Sequence, residues 1–188
     1  MAEQFDHIVM GIDPGFGTCG CSIIYWRDGK MVDYKIYAFK SSGLSVKKRR
    51  KLKCRKVDDD IRRIELMVEW IVDILKENPG VEVCGFETFG IRAGRLSGFK
   101  ALMGIGVFVA ILILNEIEAK PFVTGDIKRF VGDVSAEKED VQNFLKVKYG
   151  VDVSQHTKRK GDYEHMADSF ILAMLTYQYF TEVNVACK

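Results

Sequence analysis

Hydrophobic and polar positions along the chain alternate between strand-like and helix-like periods. His7–Ile12 is apolar almost without a break and ends on Asp13, which suits a central strand buried on both faces. Pro14-Gly15-Phe16-Gly17 reads as a tight turn, because Pro presets φ and Gly accepts positive φ. A second strand follows at Cys19–Trp26. Asp28-Gly29 is a hairpin signal that predicts a third at Met31–Phe39. From about Val57 to Glu77 the period changes to that of a helix. Val57, Ile61, Ile64, Val68, Ile71, Val72 and Leu75 form one apolar stripe, Asp58–Asp60 favour its positive end, and Asn78-Pro79-Gly80 stops it. Val81–Glu87 is a short apolar strand that again ends on a carboxylate. The glycine- and arginine-containing stretch Thr88–Ser97 predicts a loop. A long helix, apolar nearly all round, is expected over Leu96–Glu118, with Gly104 and Gly106 allowing close approach of a neighbour. A last strand is expected at Pro121–Thr124. Helices then follow at Asp126–Val131, Ala136–Tyr149 (capped by Ser135, ended by Gly150) and Tyr163–Phe180, with a polar stretch at 151–162. The order βββ-α-β-α-β-α-α-α predicts an α/β fold. Its mixed five-stranded sheet has three antiparallel strands, then two parallel ones, with helices on both faces.

Composition narrows this reading. At 188 residues, 47% hydrophobic and 29% charged, the chain suits one well-packed domain, 1–188. The net charge is +2, yet Lys47–Lys56 alone carries eight of the 28 basic residues and leaves 20 against 26 acidic ones elsewhere. A slightly acidic body with one concentrated cationic element, an insertion at about 43–56, suggests a polyanion bound at one place. The alternative for that run is a solvated loop. The five cysteines include no CxxC pair, so neither a zinc site nor a disulfide framework is indicated. Cys19, Cys21 and Cys84 lie in apolar runs and read as reduced core residues, in keeping with a cytoplasmic protein. MAEQFDH is no signal peptide, and Ala101–Leu114 is shorter than the roughly 18 residues of a membrane span, so no membrane association is expected.

Three carboxylates interrupt or end apolar elements: Asp13, Glu87 and Asp168, the last within EHMADSFILAM. An acidic group there is costly unless a cation or hydrogen bonds neutralise it. His165 and Asp168 are three apart and share a helix face. Should the first and fourth strands be neighbours, Asp13 and Glu87 emerge side by side and that helix face joins them. Hard oxygen donors with one imidazole suit Mg²⁺, or Mn²⁺ as a substitute. Taken singly, each has a plain alternative: Glu87 paired with Arg92 or Arg95, His165 satisfied in the core, Asp168 capping a loop.

GIDPGFGTCG, GFETFG and HMAD, in that order across nearly the whole chain, resemble the RuvC-type Holliday-junction resolvases of the ribonuclease-H-like superfamily, in a divergent bacterial or phage form. The resemblance implies that Asp13, Glu87 and Asp168 bind Mg²⁺, two ions per site. It makes His165 the fourth site residue, as a ligand or as an orienter of the nucleophile. IKRFVGDVSAEKEDV resembles a family stretch with two spaced lysines beside the cut strand, here Lys128 and the catalytic-site Lys138, with one residue fewer between them. The family's wedge aromatic, three residues after the glutamate, corresponds to Gly90, and Phe89 is the nearest replacement. The implied activity is metal-dependent endonucleolytic resolution of four-way DNA junctions by paired cuts. The implied assembly is a homodimer with an apolar interface on the long helix, and no small-molecule cofactor is called for. DNA contacts are expected from Lys47, Lys48, Arg49, Arg50, Lys51, Lys53, Phe89, Arg92, Arg95, Lys128, Lys158, Arg159 and Lys160. Another ribonuclease-H-like nuclease, acting on flaps, branched DNA or RNA–DNA hybrids, or a non-catalytic relative, is the alternative. DPGFGTCG also resembles the phosphate hook of actin-like ATPases, but the second lobe and second glycine-rich loop of that fold do not appear.

Overall fold

The computed structural model describes residues 5–88 and 96–186. Strands β1 (His7–Asp13), β2 (Thr18–Arg27), β3 (Lys30–Lys40), β4 (Val83–Glu87) and β5 (Glu118–Phe122) form one sheet in the order β3-β2-β1-β4-β5. The β1–β2 and β2–β3 pairs are antiparallel; β1–β4 and β4–β5 are parallel. This is the mixed sheet that the hydrophobic pattern predicts. Because side chains alternate along a strand, β1 feeds two cores. Val9 points into one, with α4 (Thr124–Val131), α5 (Lys138–Tyr149) and α6 (Tyr163–Ala186). Met10 and Ile12 point into the other, with α2 (Lys56–Glu77) and α3 (Leu96–Leu114). Helices therefore cover both faces. No helix among the described residues is long and apolar enough to cross a membrane.

Three glycines seat α6 on the sheet. A Cβ on Gly11 of β1 would fall 2.0 Å from the Ser169 carbonyl oxygen, and one on Gly20 of β2 would fall 1.9 Å from that of His165. On Gly85 of β4 it would fall 1.9 Å from Thr176 Oγ1. Their missing side chains let the helix backbone sink between β2, β1 and β4, and so fix which α6 residues overhang the strand ends.

Several boundaries differ from expectation, each for a local reason. The basic run is not a continuous loop: a short helix α1 (Val46–Lys51) forms, and Lys53, at φ 51°, separates it from α2. Val57 and Ile61 do not pack; both are about half exposed, because Asp59 takes the inward position in the first turns. α3 stops at Leu114 rather than Glu118, since Glu116 adopts φ 58° and the Ile117 N–H closes back on the Leu112 carbonyl at 2.9 Å. That frees Glu118–Phe122 to be β5, earlier than Pro121–Thr124. Pro121 is tolerated there because β5 is an edge strand. Ser135 caps nothing: its hydroxyl donates to Asp133 Oδ1 at 2.6 Å. The start of α5 is closed instead by Asp140, which accepts the Glu137 N–H at 2.8 Å. A Cβ on Gly104 would meet Met67 of α2 at ordinary van der Waals distance, whereas one on Gly106 would face open space. Cys19, Cys21 and Cys84 are buried free thiols, raised by that burial.

Candidate active site

The carboxyl ends of the parallel pair β1 and β4 lie side by side, with Ile12 opposite Phe86. Asp13 and Glu87 follow at once and emerge at one rim of the sheet. Asp13 is 6% exposed. Its backbone carbonyl accepts the Gly15 N–H at 3.2 Å, so the turn begins on the same residue. Arg63 of α2 clamps that turn from outside. Its Nη2 donates to the Phe16 and Ser41 carbonyls at 3.2 and 3.1 Å, its Nε donates to Ser41 Oγ at 3.1 Å, and its guanidinium lies 4.4 Å from the Phe16 ring centroid. Asp59, also buried, accepts the Leu44 N–H at 2.7 Å and pairs with Arg62. Burial would raise its carboxyl; those donors together hold it below the usual carboxylate range. The start of α2 is thus tied to the loops beneath the site by polar contacts rather than by the expected apolar stripe.

From above, the first turns of α6 bring His165 and Asp168 over the rim. His165 Nδ1 lies 2.5 Å from Asp13 Oδ2. The Asp13 carboxylate raises the imidazole above its ordinary value, against the opposing effect of partial burial. Glu87 is raised by burial and by the Asp13 carboxylate beside it; the Thr124 hydroxyl, donating to Oε1 at 2.5 Å, works in the opposite direction. Asp168 is pushed up to about 8, first by burial and then by the charges of Asp13, Glu87 and Glu164. The four residues named from the sequence therefore share one electrostatic neighbourhood. Among the described residues, no three His, Cys, Asp or Glu side chains are placed as a ready cage for one ion. As a donor set they still fit a divalent cation. Three carboxylates crowd one rim, Glu87 and Asp168 are both held up by burial and by the charge of Asp13, and a cation relieves both costs.

A cavity of about 480 Å³ opens beside the rim between α4, α5 and α6, lined among others by Thr124, Lys128, Ala136, Lys138, Glu164 and Asp168. Lys138 is not free within it, since it is ion-paired with Glu164. Around the same end of the sheet stand the exposed Lys47, Lys48, Arg50, Lys51 and Lys53 of α1 and its exit, which follow the end of β3. Arg49 is half-buried and donates to the Leu44 carbonyl at 3.1 Å. Lys158, Arg159 and Lys160 are exposed just before α6. Phe89, Arg92 and Arg95, with Gly90, lie outside the described residues. Thr124, Glu164 and Arg63 do not stand out in the sequence. Their neighbours come from distant elements, so no local spacing marks them.

No protein-family profile matches the chain, and no curated protein matches it in sequence. Solved structures do. Over 94% of its length the chain superposes on a structure of T. thermophilus RuvC in complex with a Holliday-junction substrate. That match covers 96% of the RuvC chain, with a TM-score of 0.63 at 15% identity. A second Thermus thermophilus RuvC structure matches over the same shares of both chains, with a TM-score of 0.61 at 18% identity.

Proposed function

We propose, from the RuvC-type, ribonuclease-H-like fold of this chain, that it is a divalent-metal-dependent endonuclease that resolves four-way DNA junctions. The observation that carries this reading is the meeting of Asp13, Glu87, His165 and Asp168 at one rim, from β1, β4 and α6. Asp13, Glu87 and Asp168, with His165 as a further ligand or as an orienter of the nucleophile, would hold Mg²⁺, two ions per site, with Mn²⁺ as a substitute. Such ions supply an activated water and neutralise charge on the phosphate. The net reaction adds water across a backbone phosphodiester: the bond from phosphorus to the 3′ oxygen breaks, leaving a 5′-phosphate and a 3′-hydroxyl.

The chain's own groups perform the rest. His165 fixes the rotamer of Asp13 through its 2.5 Å contact. Lys138 exchanges Glu164 for a substrate phosphate, and Lys128, on the same cavity wall, screens the neighbouring one. The α1 cations and Lys158–Lys160 neutralise phosphates of the arms without reading sequence. A four-way junction has two equivalent strands to cut and each chain carries one site, so the acting unit is a C₂ homodimer. The exposed apolar residues Met103, Ile113 and Leu114 of α3 are its candidate contact. The localisation that accords with this reading is cytoplasmic.

The test is to incubate junction, duplex, flap and RNA–DNA hybrid with and without Mg²⁺. Paired, symmetric nicking of the junction alone is expected. Asp13→Asn should lower its rate by about 10²–10⁴-fold, the several kcal/mol that a metal site contributes. Equal cutting of plain duplex would sink junction selectivity. Light scattering that shows a monomer on junction DNA would sink the dimer.

A further inference from the structure

We propose that Thr124 is a positioning residue for Glu87: its hydroxyl, fixed by the start of α4, aims the Glu87 carboxylate at the cation. This rests on the nuclease reading of the site. Glu87 is the last residue of β4, and three rotatable side-chain bonds separate its carboxylate from the rigid sheet. Asp13 receives a firm contact from His165 at 2.5 Å, and Glu87 receives its own from Thr124 Oγ1, also at 2.5 Å.

Thr124 itself has little freedom. Glu87 pairs with Phe122 across β4 and β5, and the Thr88 N–H donates to the Phe122 carbonyl at 2.7 Å. Two residues further on, Thr124 enters α4, whose first turn is locked by Asp126 Oδ2 accepting the Val123 N–H at 2.8 Å. β-branching restricts its χ1 as well. The hydroxyl donates to Oε1, and the same carboxylate stands beside that of Asp13 at the rim. That is the arrangement in which an outer hydrogen bond orients a metal-binding carboxylate. Thr124 also lines the cavity that holds Lys128 and Lys138, so the residue that turns Glu87 stands on the wall the phosphates would follow.

The experiment compares wild type, Thr124→Val, which keeps the shape and removes the hydroxyl, and Thr124→Ser, which keeps the hydroxyl. Mn²⁺ alone is titrated into the DNA-free protein, and free Mn²⁺ is read by electron paramagnetic resonance, with thermal melting in the absence of metal run alongside. Thr124→Val should weaken Mn²⁺ binding about tenfold, the low end of the range for an outer hydrogen bond to a ligand, with its metal-free melting temperature unchanged. Thr124→Ser should restore most of that affinity. Equal Mn²⁺ affinity in wild type and Thr124→Val, or a Ser variant as weak as Val, would overturn the proposal. Glu87→Gln separates the two layers. Loss of Mn²⁺ binding in Glu87→Gln with none in Thr124→Val defeats the positioning role alone. Unchanged binding in Glu87→Gln defeats the reading of the site itself.

Discussion

Asp13 is the residue on which most of the site's contacts converge. It closes β1, opens the turn through its carbonyl, and its carboxylate meets His165 and presses on Glu87 and Asp168. What keeps it in place lies one contact further out, in the planar fork of Arg63. That guanidinium reaches two carbonyls and a hydroxyl at once and covers the Phe16 ring, which a lysine ammonium on a flexible stem cannot reproduce. Arg63→Lys keeps the charge and is expected to lower stability by roughly 1–3 kcal/mol, as buried carbonyls give up charge-assisted hydrogen bonds. Urea unfolding measures this. A variant within about 0.5 kcal/mol of wild type, the range of an ordinary surface change, would show that the turn holds itself.

Among the elements, α6 does most to assemble the site, because its depth on the sheet sets where His165 and Asp168 stand. Gly11→Ala puts a methyl where the Ser169 carbonyl and the Ala173 N–H already are, and is expected to cost about 1–3 kcal/mol or more. Gly106→Ala in α3 meets nothing within 4 Å and should be neutral, or stabilising by up to about 1 kcal/mol through helix propensity. Paired urea midpoints distinguish a steric seat from a general intolerance of glycine replacement. The same contrast marks what the sequence reveals. β1 and β4 are legible as unbroken apolar runs ending on acids, and the acids meet as that pattern implies. The close seat of α6 does not emerge from the hydrophobic pattern, although a glycine inside a strand, as at Gly11, Gly20 and Gly85, is its signal. The polar start of α2 is hidden because Val57 and Ile61 carry a helical period that the fold does not bury. β5 is displaced from its expected place because Glu116, not a glycine, takes the left-handed turn that ends α3.

Across the whole molecule, charge is divided between an acidic rim and the cations around it. Lys47, Lys48, Arg50 and Lys51 project from a short helix with no buried residue of its own, so they can be removed without opening a core. Replacing all four with glutamine should flatten the dependence of junction affinity on salt by about 0.9 logarithmic units for each phosphate they neutralise, with the folded state intact. Fluorescence anisotropy across a salt series reads that slope. An unchanged slope would remove α1 from the DNA interface. The glycine seat of α6 carries a broader consequence. Because the helix main chain rests there on Gly11 and Gly20, the placement of His165 and Asp168 over the strand ends is set by absent atoms rather than by any particular filling of the interior. Most side chains can therefore be exchanged while the distance between helix and sheet stays where it was, in keeping with a shape shared at 15–18% identity.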